Sequence, residues 1–257
     1  MVVYFLGTCA GTEPMPDRRH ASVVVQIGDA LYWFDAGEAC SQTAHNMGLD
    51  LLKVKAIFIS HTHMDHVGGL GNLLWNIRKL TWVKKRNPDY GGNEIFIPNM
   101  ETWKGIMQIL RNTEGDFATE YPIDAREVTK GILFDDGYLK VTACPNTHMK
   151  AAETDKCLSY SYLIEGNGKR LVYSGDVGSY EDLDPLVCDG CDGLIIETGH
   201  FGIDDVKKYV ADKSVGMVFF THNGREILNY PQASKQKVYQ YFGDRAIICE
   251  DGMTVEL

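Results

Sequence analysis

The segment His61-Thr62-His63-Met64-Asp65-His66 sets three imidazoles and one carboxylate within six residues, directly after the apolar run Ala56-Ile57-Phe58-Ile59-Ser60. Neutral imidazole nitrogens with a carboxylate suit a borderline divalent ion such as zinc. Side chains alternate along a strand, so His61 and His63 are expected to point the same way as the strand ends, with Asp65 and His66 on the turn beyond. One short segment can then serve two neighbouring ions. A surface histidine cluster or a tag scar is the bland alternative, but a tag would sit at a terminus, not after a buried-looking strand.

Around this nucleus the chain reads as alternating strands and helices. Strand-like runs fall at 2–6, 22–27, 31–35, 56–60, 94–98, 138–144, 158–165, 170–174, 193–197, 215–221, 246–248 and 253–256. Helical patterns fall near 38–48, 66–78, 100–111, 204–211 and 232–242. Gly28-Asp29 and Glu165-Gly166-Asn167-Gly168 read as hairpin turns, and the stretch 84–93 as an exposed loop. Antiparallel strands followed by strand–helix alternation recur in each half, which predicts two sheets packed face to face with helices outside. With no low-complexity segment or linker, 1–257 reads as one domain.

Composition narrows the partners. A net charge of −10 argues against an extended nucleic acid, which needs a basic footprint. No run approaches the roughly 18 apolar residues of a membrane span, and the first residues lack the basic region of a signal peptide. Seven scattered cysteines read as reduced thiols of a cytoplasmic protein. Cys188-Asp189-Gly190-Cys191 is a lone C-x-x-C, read as turn and core cysteines.

Further donors follow other apolar strands: His148 after Pro145-Asn146-Thr147, Asp176 after Ser174-Gly175, and His222 after Phe219-Phe220-Thr221. Strand ends are where loops bring site residues together. The pattern resembles the metallo-β-lactamase superfamily, whose H-x-H-x-D-H hallmark appears as His61, His63, Asp65 and His66. It is most similar to the ribonuclease Z branch through Leu6-Gly7-Thr8, Arg19-His20-Ala21-Ser22, Phe34-Asp35-Ala36-Gly37-Glu38, Gly68-Gly69-Leu70, Ser174-Gly175-Asp176 and Thr221-His222. The resemblance implies an αββα sandwich of two mixed β-sheets. It also implies one metal held by His61, His63 and His148, a second by Asp65, His66 and His222, and Asp176 bridging. The two divalent ions would be zinc, with manganese or iron as alternatives, and a homodimer is implied as well. A cysteine ligand of the β-lactamases proper is replaced in role by Asp176, which counts against antibiotic hydrolysis.

Other roles follow from the same likeness. Asp35 stands in an Asp-x-Gly setting like that of the carboxylate that orients a metal-bound histidine; the other reading is a turn aspartate after a strand. In ribonuclease Z a glutamate of a His-Glu-Ala-Thr motif and a later histidine form a proton-donating pair, and Glu197-Thr198-Gly199-His200 is similar, although Ile196 replaces the leading histidine. Asp65 would both ligate and orient the attacking water. Arg19 and Arg225 are candidate anion-binding residues, while Arg18 and Lys150 read as surface charges.

The expected activity is metal-dependent hydrolysis, with a small cyclic or short phosphodiester as substrate. A lactone, thioester or ester hydrolase and a ribonuclease Z-type endonuclease are the alternatives. The segment between His148 and Asp176 has no room for the long RNA-gripping arm, which counts against the last. A metal-binding sensor without turnover is weakened because every expected ligand is present.

Overall fold

A computed structural model describes residues 1–150 and 156–257. Its strands in chain order are β1 (Val2–Gly7), β2 (Ser22–Ile27), β3 (Ala30–Phe34), β4 (Val54–Phe58), β5 (Asn93–Ile97), β6 (Ile123–Glu127) and β7 (Gly131–Asp135). There follow β8 (Leu139–Pro145), β9 (Tyr160–Gly166), β10 (Lys169–Tyr173), β11 (Cys191–Thr198), β12 (Val215–Asn223), β13 (Ala246–Ile248) and β14 (Met253–Glu256). They form two seven-stranded sheets, ordered β14-β1-β2-β3-β4-β5-β6 and β13-β12-β11-β10-β9-β8-β7.

Each sheet is mixed in the same way. In the first, β14, β1, β2 and β3 pair antiparallel, and β3 to β6 run parallel. In the second, β7 to β10 pair antiparallel, and β10 to β13 run parallel. The hairpin at Asn167-Gly168 has both residues at positive φ (51° and 71°), the requirement of a type I′ turn.

Strand alternation divides the apolar residues between layers. Tyr32, Phe34, Phe58, Tyr162, Ile195 and Phe219 meet between the sheets, where Phe58 stacks on Phe34 and Phe96 with centroids 5.0 and 5.1 Å apart. Trp33 and Ile57 face outward with Leu70, Leu74 and Ile77 of the helix Leu70–Lys84. On the other sheet, Leu194, Ile196 and Phe220 face Ile203 and Val206 of the helix Ile203–Val210 and Val238 of Pro231–Phe242. Because both faces are covered, the central strands read as unbroken apolar runs.

Two features depart from the sequence reading. The expected helix at 66–78 is divided into Met64–Val67 and Leu70–Lys84. The break lets Gly69 lie against the loop after β3: its N–H donates to the Ala36 carbonyl at 2.8 Å, and a Cβ there would stand 2.2 Å from the Gly37 carbonyl oxygen. The edge strands β6 and β7 were not anticipated, since Ile-Asp-Ala-Arg-Glu is mostly polar and Gly131-Ile-Leu-Phe-Asp is short.

Candidate metal centre

Loops at one end of both sheets converge. Beyond β4, Ser60 and His61 are buried, and His63 is the extended N-cap of the helix Met64–Val67. Asp65 and His66 therefore sit on this short helix, just beyond the strand. His61 Nε2 lies 3.0 Å from His63 Nδ1, which in turn lies 3.3 Å from Nε2 of His148. The latter is set by Asn146, whose Oδ1 accepts the His148 N–H at 3.1 Å while its Nδ2 donates to the Asp176 carbonyl at 2.9 Å.

Asp176 follows β10 through Gly175, which has φ 56° and whose Cβ would lie 2.7 Å from that of Ser60. Its Oδ2 is 3.7 Å from both His61 Nε2 and His148 Nε2, and its Oδ1 is 3.2 Å from His66 Nε2 and 3.3 Å from His222 Nδ1. Asp65 Oδ2 closes the other side, 3.1 Å from His222 Nε2 and 3.4 Å from His66 Nε2.

His222 adopts a left-handed φ of 45°, an uncommon conformation for a non-glycine residue. Its successor Asn223 is buried and pinned on every side. The Asn223 N–H donates to the Thr8 carbonyl at 2.7 Å, its carbonyl accepts from Ala10 at 3.2 Å, and Nδ2 donates to the Cys249 carbonyl at 3.2 Å.

Three overlapping donor groups result, His61/His63/His148/Asp176, Asp65/His66/Asp176/His222 and Asp176/Glu197/His200/His222, with the offered atoms of each group within 4.8 Å of one another; the first two hold the residues expected to bind metal. The donors fit divalent ions on a physical criterion. His66 Nε2, Asp176 Oδ1 and His222 Nδ1 are buried with no aligned hydrogen-bond partner, and such atoms are costly unless something else satisfies them. Electrostatics agree. Burial pushes His66 down, but the carboxylates of Asp176 and Asp35 outweigh it and raise the imidazole well above its usual range. His222 responds similarly, with burial overcome by Asp176 and Asp65, and is raised to about 9. Against their own burial, Asp65 and Asp176 are held well below the carboxylate range by His222 and His66. Burial, then the neighbouring His66, depresses His61. The carboxylates of the cluster thus favour positive charge between them.

Behind it, buried Asp35 accepts hydrogen bonds from the Ser60 N–H at 2.6 Å, Ser60 Oγ at 2.7 Å and Tyr173 OH at 2.8 Å, and contacts His66 Nδ1 at 2.7 Å. The turn-aspartate reading is therefore too weak a description. Ser60, Tyr173, Asn146 and Asn223 were not singled out in the sequence, because ordinary strand-end residues carry no local mark of such contacts.

Glu197 and His200 also meet. His200 Nδ1 lies 3.0 and 3.1 Å from the two Glu197 oxygens, and the His200 N–H donates to Oε2 at 3.0 Å. The hydrogen bond from Glu197 raises His200 despite its partial burial. Glu197 itself is fixed by Val177 N–H, which donates to Oε1 at 3.1 Å. Of the two, His200 borders a cavity of about 660 Å³ whose lining includes Glu13, His63, Asp65, Asp176, His222 and Arg225, while Glu197 lies buried behind it. Arg225 reaches this cavity, but Arg19 does not: it lines a separate one with Arg18 and His20 and lies 3.7 Å from Asp251. Arg18 is tied to Thr8 Oγ1 at 3.0 Å. Cys188 is exposed and Cys191 buried, both free thiols.

Paired mixed sheets clad by helices, with a histidine–aspartate cluster at their strand ends, define a metal-dependent hydrolase of the metallo-β-lactamase superfamily, ribonuclease Z-like in character. Within it, the chain belongs to the family described as Anti-Pycsar protein Apyc1, which matches residues 1–192. It is similar to ribonuclease Z of Mycolicibacterium gilvum, 26% identical over 203 residues that cover 74% of this chain and 67% of the relative. Ribonuclease BN of Cronobacter sakazakii is 34% identical over 175 residues, 66% of this chain and 51% of the relative, so the chain spans about half the length of that protein. Among solved structures, the short form of human tRNase Z superposes with a TM-score of 0.72 at 21% identity, covering 100% of this chain and 99% of the other. Membership of this hydrolase group implies divalent metal ions. Among the described residues, no helix is long and apolar enough to cross a membrane.

Proposed function

We propose that the protein is a dinuclear, zinc-dependent phosphodiesterase acting on a small cyclic or short phosphodiester. The observation that carries this reading is the His200 ring, held by Glu197 at the border of the histidine–aspartate cluster and facing a cavity of about 660 Å³. A volume of this order suits a small molecule.

One ion would be held by His61, His63 and His148, the other by Asp65, His66 and His222, with Asp176 shared. Such ions lower the pKa of water and offset negative charge on the attacking and leaving oxygens of a displacement. The chain's own groups supply the rest. Asp65 orients the attacking water and accepts its proton on a carboxylate oxygen. Since His200 Nδ1 is engaged by Glu197, Nε2 is the atom that gives a proton to the leaving oxygen. Glu197 accepts from Nδ1–H and so favours the doubly protonated ring, which carries on Nε2 the proton to be given. Support for phosphorus chemistry also comes from the similarity to ribonucleases, whose named substrate is a phosphodiester polymer.

His200→Ala should leave metal stoichiometry intact and slow substrates with poor leaving groups by about 10²–10⁴-fold, the usual range for a general acid. Substrates with good leaving groups should suffer much less. Rates for a series of aryl phosphodiesters, with metal content by elemental analysis, test this; equal losses across the series would remove His200 from the acid role. Turnover of lactones without cleavage of bis-p-nitrophenyl phosphate or cyclic nucleotides would overturn the phosphodiesterase reading itself.

A further inference from the structure

The cavity mouth carries an ion pair that the proposed chemistry does not use. Glu13, on the loop after β1, faces Arg225, just past the end of β12. One guanidinium nitrogen donates to Glu13 Oε1 at 3.1 Å and the other contacts Oε2, a two-point carboxylate–guanidinium contact. Both side chains are more than half exposed, at 58% and 56%, and both line the cavity that holds Asp65, Asp176 and His200. An exposed pair of this kind contributes little to stability. Its position gives it another consequence.

The loop that leads to Glu13 is anchored at its start. Cys9 N–H donates to the Arg19 carbonyl at 2.9 Å and Ala10 N–H to the Asn223 carbonyl at 3.2 Å. The carboxylate thus reaches the cavity mouth from a loop pinned at Cys9 and Ala10, on a side chain more than half exposed. Carboxylate and phosphoryl oxygens engage a guanidinium fork in the same bidentate manner, so Glu13 occupies the place a substrate anion would take.

We infer that Glu13 is a specificity-determining residue: it fills the Arg225 anion subsite from within the chain and so selects singly charged phosphodiesters over dianionic phosphates. This rests on the reading of the cavity as a phosphodiester site. A monoanion needs only the metal-side charges. A dianion needs Arg225 as well, must displace Glu13 to reach it, and then meets the displaced carboxylate nearby. Specificity by a built-in repulsive group is a general device.

The test compares binding of inorganic phosphate, a dianion at pH 8, with dimethyl phosphate, a monoanion, by calorimetry on the metal-loaded protein. Glu13→Gln should raise the ratio of phosphate to dimethyl phosphate affinity about tenfold, the order of one charge-assisted hydrogen bond. Adding Arg225→Gln should cancel the gain. A ratio that does not move in Glu13→Gln, a gain that survives in the double variant, or no binding of either anion to any of the proteins overturns the inference. Bis-p-nitrophenyl phosphate turnover is measured alongside. A shifted ratio without turnover would count against the phosphodiesterase reading alone, and turnover without a shift against the role of Glu13 alone.

Discussion

Asp176→Ala is expected to strip most metal from the protein and to lower hydrolysis by at least about 10³-fold. The reason is its place between the two donor groups, where one oxygen faces His61 and His148 and the other faces His66 and His222. No other residue belongs to both of the groups expected to hold metal. His63→Ala should differ in kind, since His63 belongs to only one group. Its variant should keep roughly half the metal on the proposed two-ion assignment, with activity also lost. Elemental analysis of both proteins after desalting decides the matter. A variant of Asp176 that keeps two tightly held ions and its full rate would contradict the assignment.

The second large effect is expected at Asp35. Its carboxylate gathers Ser60 N–H, Ser60 Oγ, Tyr173 OH and His66 Nδ1, all buried. Asp35→Ala takes the carboxylate from all four, leaving only Ser60 Oγ with another partner, His61 Nδ1 at 3.1 Å, and breaking a buried charged network of this sort costs about 3–5 kcal/mol. It also frees the His66 ring, for which loss of an orienting carboxylate typically weakens metal binding by about 10–100-fold. Tyr173→Phe removes one hydrogen bond while Asp35 keeps the others, a cost of about 1 kcal/mol. Chemical denaturation in the presence and absence of zinc separates the two contributions. Equal stability of Asp35→Ala and Tyr173→Phe would show that the carboxylate does not organise the network.

The site was more legible in the sequence than its supports were. His61, His63, Asp65, His66, His148, Asp176 and His222 each follow an apolar strand, and a histidine or aspartate at such a position stands out against its neighbours. Ser60, Tyr173, Asn146 and Asn223 do not, because their importance lies in contacts with distant parts of the chain: Tyr173 OH reaches Asp35 across a sequence separation of 138 residues. Glu13 and Arg225, 212 residues apart, illustrate the same limit, and of the two only Arg225 stood out in the sequence, as a candidate anion-binding residue. The central strands were recognisable from burial on both faces. The edge strand β6 was not, since Asp124, Arg126 and Glu127 are set toward solvent and alternate too weakly to mark a strand. Those charges also guard an open sheet edge against pairing with another chain. The Gly68-Gly69 break escaped notice because what requires it is the backbone of Gly37, not a local turn signal.

The donor groups draw on loops from both sheets: His61, His63, Asp65 and His66 come from the first, His148, Asp176 and His222 from the second. Under the proposed assignment each ion is a rivet through two plates. Aromatic packing joins the plates through their middle, but at this rim the ions fasten them. Metal supply would then govern how long a molecule survives as well as how fast it works, and a cell that withholds zinc would shorten the protein's lifetime along with its turnover.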